Sequence, residues 1–271
     1  MIADMLSLTF IRYALAAGTL VSLTAALLGV PLVLKRYSMI GDGLSHVGFG
    51  ALAVAMALHA APLAVAIPLV LLAAFLLLRL SENSRLKGDA AIALVSSSAL
   101  AVGVLVLAFT KGSTGDVYNY LFGSILAVGR ADFWLSMGFC AAVLAVYALC
   151  YHKIYAITFD ETFARASGVR AGAWNALLAL LTALVIVLGL RLMGAMLISS
   201  LIVFPALTAM RVCRSYRGVV VTAAALSVVC FVAGLVLSYA LETPSGATVV
   251  TVNLAAFLAF SVVGAVRKRR G

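Results

Sequence analysis

Nine apolar runs, at 13–34, 38–58, 62–79, 90–110, 132–151, 174–190, 193–210, 218–241 and 246–266, follow one another along this chain with short intervals between them. A helix needs roughly 20 apolar residues to cross about 30 Å of hydrocarbon, and backbone inside lipid must satisfy its own hydrogen bonds. The expected fold is therefore all-α, a polytopic transmembrane helical bundle of about eight or nine spans. Residues 1–271 are expected to form a single transmembrane domain, multi-pass in the cell membrane. Composition agrees: 65% of residues are hydrophobic and 10% charged, with a mean hydropathy of +1.19, far from the soluble globular range. The first run has neither a basic leader nor a small-residue cleavage site, so it reads as a retained span.

The net charge of +10 reports topology, because the basic residues sit between spans and interleave with no aromatic RNA-binding pattern. With nine alternating spans and a cytoplasmic C-terminus, the inside holds Lys35 and Arg36, the 79–89 and 152–173 loops, the Arg211/Arg214/Arg217 group and the terminal basic run. Those segments carry 15 of the 19 Lys and Arg, as the positive-inside rule requires. Arg12, Lys111, Arg130 and Arg191 fall outside. No nucleic-acid partner is expected, and Cys140, Cys150, Cys213 and Cys230, without CxxC spacing, read as packing residues.

Three segments are not plain spans. Residues 111–131, KGSTGDVYNYLFGSILAVGRA, read as an external loop whose apolar centre at 120–128 is too short to cross, so a short interfacial or re-entrant helix is expected. In the cytoplasmic loop 152–173, Thr158 and Glu161 match a capping box, and Gly168 can close the helix that follows. TFDETFARASG thus reads as one small helix outside the bilayer. Pro205, inside MLISSLIVFPALTAM, removes a backbone donor, and Ser199 and Ser200 are expected to hydrogen-bond the backbone it frees.

Of the nine acidic residues, eight fall in loops or near span ends, and only Asp42 sits well inside an apolar run. Counting 1.5 Å per residue from Tyr37 places it roughly 8 Å deep and His46 roughly 14 Å deep, on one helix face. A carboxylate there is costly unless it meets a partner, a cavity or a cation. In one reading Asp42 caps a helix starting after Gly41 and His46 makes an ordinary interhelical hydrogen bond. In the other the pair lines a polar path, since carboxylate and neutral imidazole suit divalent ions such as zinc and manganese. Gly41, Gly43, Gly48 and Gly50 would then permit close helix approach or a broken helix. His59, His152 and Glu242, at span ends, read as solvated or interfacial. There is no HExxH, GxSxG or GxxxxGK[ST] motif, so neither an intramembrane enzyme nor an ATPase is expected.

Six segments together resemble the membrane subunits of zinc/manganese/iron ABC importers: MIGDGLSHVGFGALAVA (39–55), GDAAIAL (88–94), YLFGSILAV (120–128), FDETFARASGV (159–169), LISSLIVFPALTAMRVCRSY (197–216) and PSGATVVTVN (244–253). They run in the family's order and cover nearly the whole chain. The resemblance implies a permease, not itself an enzyme, that forms a homodimer or pairs with a close relative and works with cytoplasmic ABC ATPase subunits and an extracytoplasmic metal-binding protein. It implies no tightly bound cofactor: the divalent metal ion (zinc, manganese or iron) is the transported substrate. The family's GDxxSH aspartate and histidine match Asp42 and His46. The segment with Asp160, Glu161, Phe163 and Arg165 matches the helix that docks on the ATPase. Where the family often has proline and glycine after the motif, this chain has Gly50 and Ala51. The alternatives are an ATP-independent secondary transporter with Asp42 and His46 as a proton relay, and a membrane scaffold without a path.

Overall fold

A computed structural model describes residues 9–83, 88–110, 123 and 129–270. Their helices are α1 (Thr9–Leu34), α2 (Ser38–Ala57), α3 (Pro62–Asn83), α4 (Gly88–Phe109), α5 (Arg130–Phe159), α6 (Glu161–Ala166), α7 (Ala171–Met193), α8 (Ala195–Val212), α9 (Tyr216–Leu241) and α10 (Ser245–Arg270). Among the described residues, nine helices are long and apolar enough to span a membrane, and α6 is the short one left over. The protein is a multi-pass membrane protein.

Helix burial sorts the bundle into inner and outer members. The apolar windows of α7 and α1 are 72% and 67% buried within the chain, against 17% and 11% for α4 and α10. α1 packs against α5, α7, α8 and α9, while α2 packs against α3, α4, α7 and α8. The core is built from side chains such as Val21, Leu28, Leu44, Phe49, Ile186 and Ile198. The outer helices leave large apolar residues such as Leu94, Leu149 and Val262 exposed. Hydrocarbon covers those faces as readily as protein does, so their exposure carries no penalty in a bilayer.

The helix ends group as nine alternating spans require. Lys35, after α1, contacts Glu161 and Asn175 at the ends of α6 and α7. At the same end, Tyr216 of α9 meets Tyr155 and Phe159 of α5. At the opposite end, a Cβ on Gly123 would lie 2.2 Å from the carbonyl oxygen of Met193, so Gly123 lies directly against the α7–α8 turn. The interfacial helix expected over 120–128 otherwise lies outside the described residues.

The α7–α8 turn is a single residue, Gly194, with φ 84° and ψ 164°. That region of backbone space is essentially restricted to glycine. α8 continues through Pro205. The expected role of the neighbouring serines is corrected: Ser199 and Ser200 donate to the carbonyls of Met196 and Leu197. A proline at 205 frees the carbonyl of Leu201, and a serine hydroxyl in a helix reaches only back to the i−3 or i−4 carbonyl.

The 152–173 segment is also less of a loop than expected. α5 stays helical to Phe159, so Thr158 has helical backbone and cannot cap. Its hydroxyl donates instead to the Ile154 carbonyl at 2.6 Å. The cap is Asp160, the first residue with extended backbone (φ −146°, ψ 94°), whose Oδ1 accepts the Phe163 N–H at 2.8 Å. Gly168 closes α6 as expected, at φ 83°, with the Gly168 and Val169 N–H groups donating back to Arg165 and Ala164 in the Schellman pattern.

Candidate functional site

α2 begins at Ser38, with Tyr37 at its N-cap and no side-chain capping bond. Asp42 therefore lies inside the helix, and the capping reading of that residue is excluded. α2 is also unbroken through its four glycines. They serve close approach: a Cβ on Gly50 would lie 2.8 Å from the Ala99 carbonyl oxygen, and one on Gly103 would lie 2.9 Å from the Gly50 Cα. At that crossing α2 and α4 meet backbone to backbone, and any side chain would part them.

One face of α2 is thus locked against the bundle, and Asp42 and His46 occupy a more open one. Their side chains are 43% and 23% exposed, and Asp42 Oδ2 lies 3.7 Å from His46 Nε2. That is too long for a hydrogen bond. It is close to the spacing of about 3.4 Å that two donors adopt when each sits about 2.1 Å from one tetrahedrally coordinated ion. His46 Nδ1 is buried without a hydrogen-bond partner among the described residues. A further polar bond at this point is local, from the Ser45 hydroxyl to the Asp42 carbonyl at 2.7 Å. Among the described residues no group of three or more His, Cys, Asp or Glu could hold a metal. One chain therefore offers two donors there, short of a four-ligand shell.

The four residues of the segment around α6 take different parts. Asp160 caps α6. Phe163 stands 70% exposed at its surface, and Arg165 is also exposed, bonding Glu161 Oε1 at 2.6 Å. Glu161 turns inward: its Oε2 accepts the Lys35 Nζ at 2.9 Å and the Asn175 Nδ2 at 3.3 Å. Burial alone would raise the Glu161 carboxyl, but the hydrogen bonds from Lys35, Asn175 and Arg165 outweigh it and bring it down to about 2.

Sequence reasoning missed Lys35 and Asn175. Lys35 reads as one more cytoplasmic lysine, and Asn175 as part of the α7 span. A weak signal existed in Asn175, a polar residue in an apolar run, which is 3% exposed. His59 and Glu242 lie just past the ends of α2 and α9, whereas His152, expected at a span end, lies inside α5, which continues to Phe159; all three are apart from these groups.

The profile of the ABC 3 transport family matches residues 7–264. The manganese transport system membrane protein MntC of Halalkalibacterium halodurans is 30% identical over 258 residues, covering 95% of this chain and 88% of that protein. The high-affinity zinc uptake system membrane protein ZnuB of Haemophilus influenzae is 30% identical over 238 residues, covering 88% of this chain and 91% of that protein. Among solved structures, PsaBC from Streptococcus pneumoniae in complex with Fab is similar with a TM-score of 0.86 and 30% identity. The match covers 96% of this chain and 95% of that one.

Proposed function

The chain belongs to the ABC 3 transport family, and from that premise we propose that it is the permease of an ABC importer carrying a divalent transition-metal ion into the cytoplasm. The ion is zinc, manganese or ferrous iron, and it passes Asp42 and His46. The observation that carries this reading is their 3.7 Å spacing on an otherwise apolar span. Relatives named for manganese and zinc transport support the substrate class.

A dication entering hydrocarbon must exchange its water shell for protein donors. The Asp42 carboxylate supplies charge, and the neutral His46 imidazole supplies a nitrogen ligand common to zinc and other first-row ions. A second copy of the chain, related by a two-fold axis, adds the same two donors and completes a four-ligand set. Hydrolysis of ATP takes place on separate cytoplasmic subunits, which dock on α6 through the exposed Phe163. An extracytoplasmic metal-binding protein delivers the ion. The permease holds no resident cofactor.

The test is uptake of radiolabelled zinc and manganese by proteoliposomes holding this chain, its ATPase subunits and its binding protein. Accumulation is expected with ATP and not with a non-hydrolysable analogue. Equal accumulation when the ATPase subunits are left out would sink the reading and favour a secondary transporter.

A further inference from the structure

We propose that Lys35 is a positioning residue that ties the ATPase-docking helix to the metal-bearing helix, so that movement of α6 is delivered to Asp42 and His46. This rests on the reading of α6 as the docking helix.

Lys35 and Glu161 are 126 residues apart in sequence and bond at 2.9 Å, whereas the Asp42–His46 and Glu161–Arg165 pairs each lie within one helical turn. The Lys35 side chain is only 7% exposed. It also donates to Asn175 Oδ1, which fixes the ammonium between the first residue of α6 and the first turns of α7. A buried ammonium that separates from its carboxylate is left uncompensated, and Lys35 is the buried member of this pair, so the pair holds while its surroundings shift.

On its other side Lys35 belongs to a turn with little freedom. Residues 35–37 join α1 to α2, with Arg36 at φ 62°. The Lys35, Arg36 and Tyr37 N–H groups donate to Pro31, Val33 and Leu32, and Ile40 N–H donates to the Tyr37 carbonyl. The turn is therefore hydrogen-bonded to both helices. α2 starts at Ser38 and runs unbroken past Asp42 and His46, so a displacement of Lys35 moves both donors with the helix. Lys35 thereby joins the α6 carboxylate to the turn that begins α2.

The test uses the complete complex in proteoliposomes, with a cysteine-free background carrying Met39→Cys, a half-exposed position on the first turn of α2. In the parent, ATP is expected to change the rate at which the thiol introduced at position 39 reacts with a polar thiol reagent. In Lys35→Met the ATPase subunits stay bound and hydrolysis continues, but that nucleotide response disappears and metal uptake falls about tenfold, within the usual range of site-to-site coupling. Glu161→Gln, which keeps shape and a hydrogen-bond acceptor, is expected to lose part of both. Reversing the pair, Lys35→Glu with Glu161→Lys, should recover uptake relative to either single change. Normal uptake and a normal response in Lys35→Met would overturn the proposal. So would loss of ATPase binding in that variant, because Lys35 would then serve only to build α6. The docking premise is checked separately by cross-linking Phe163→Cys to the ATPase: no cross-link removes the premise, whereas a cross-link with normal Lys35→Met uptake removes only the relay.

Discussion

His46 Nε2 stands 3.7 Å from Asp42 Oδ2, one turn along α2, without a hydrogen bond between them. That distance is close to the separation of two ligands on one tetrahedral ion, which is what the proposed role requires. Asp42→Asn keeps shape and polarity but removes the charge, and His46→Gln removes the nitrogen ligand. Each is expected to express and melt like the parent while uptake of zinc or manganese is lost. Near-normal uptake in Asp42→Asn would remove the carboxylate from the path.

Asp160, and not Thr158, caps α6. Asp160→Ala should therefore cost about 1 kcal/mol of local stability, and Asp160→Asn only a few tenths, because asparagine caps about as well. Thr158→Ala should be close to neutral. Trypsin cleavage at Arg165 in the folded, detergent-solubilised protein measures this, with Asp160→Ala cut fastest.

Phe163 is an exposed apolar residue on α6. Replacing it with Ala should leave thermal stability unchanged and lower the yield of ATPase subunits that co-purify with the permease. Reversing charge at Glu161 is a poorer probe of docking, because Glu161 faces Lys35 and its loss loosens α6 itself. A Phe163→Ala permease that retains its ATPase in full would move the docking surface elsewhere.

Gly194 holds φ 84° and ψ 164° between α7 and α8. Gly194→Ala forces a Cβ into backbone space essentially reserved for glycine, at about 1–3 kcal/mol. The melting temperature in detergent should drop accordingly. An unchanged melting temperature would mean that the turn relaxes to another conformation at no cost.

Glu161 has its carboxyl depressed from 4.5 to about 2. A depressed pKa stabilises the fold above the unfolded value and ceases to do so as pH falls through the folded one. The advantage of the parent over Glu161→Gln should therefore be constant above about pH 6, shrink below about 4.5 and vanish near 2. Thermal melts of the two proteins across that range measure it. A gap that widens on acidification would contradict the assigned ion pairs.

The spans, their alternation and the candidate metal pair are all legible in the sequence. Each rests on information local to a segment: run length against bilayer thickness, basic residues between runs, and an Asp and a His four positions apart in apolar surroundings. The existence of α6 and its Gly168 stop were legible for the same reason. Its cap was not, because whether Thr158 or Asp160 is the first non-helical residue depends on how far α5 continues, and α5 extends past the hydrophobic run that marks it.

Packing between distant segments settled the rest: Asp42 sits within a continuous helix, Gly50 and Gly103 bring α2 and α4 together, and Lys35 reaches Glu161 and Asn175. These contacts join residues 53, 126 and 140 positions apart. Helix periodicity constrains which face a residue occupies, but not which distant helix comes to lie against that face. A lysine at a cytoplasmic span end satisfies the charge rule whether it points into water or into a buried pair, so the sequence pattern is the same in both cases. What separates them is the convergence of α1, α6 and α7 at one end of the bundle, which leaves the ammonium 7% exposed.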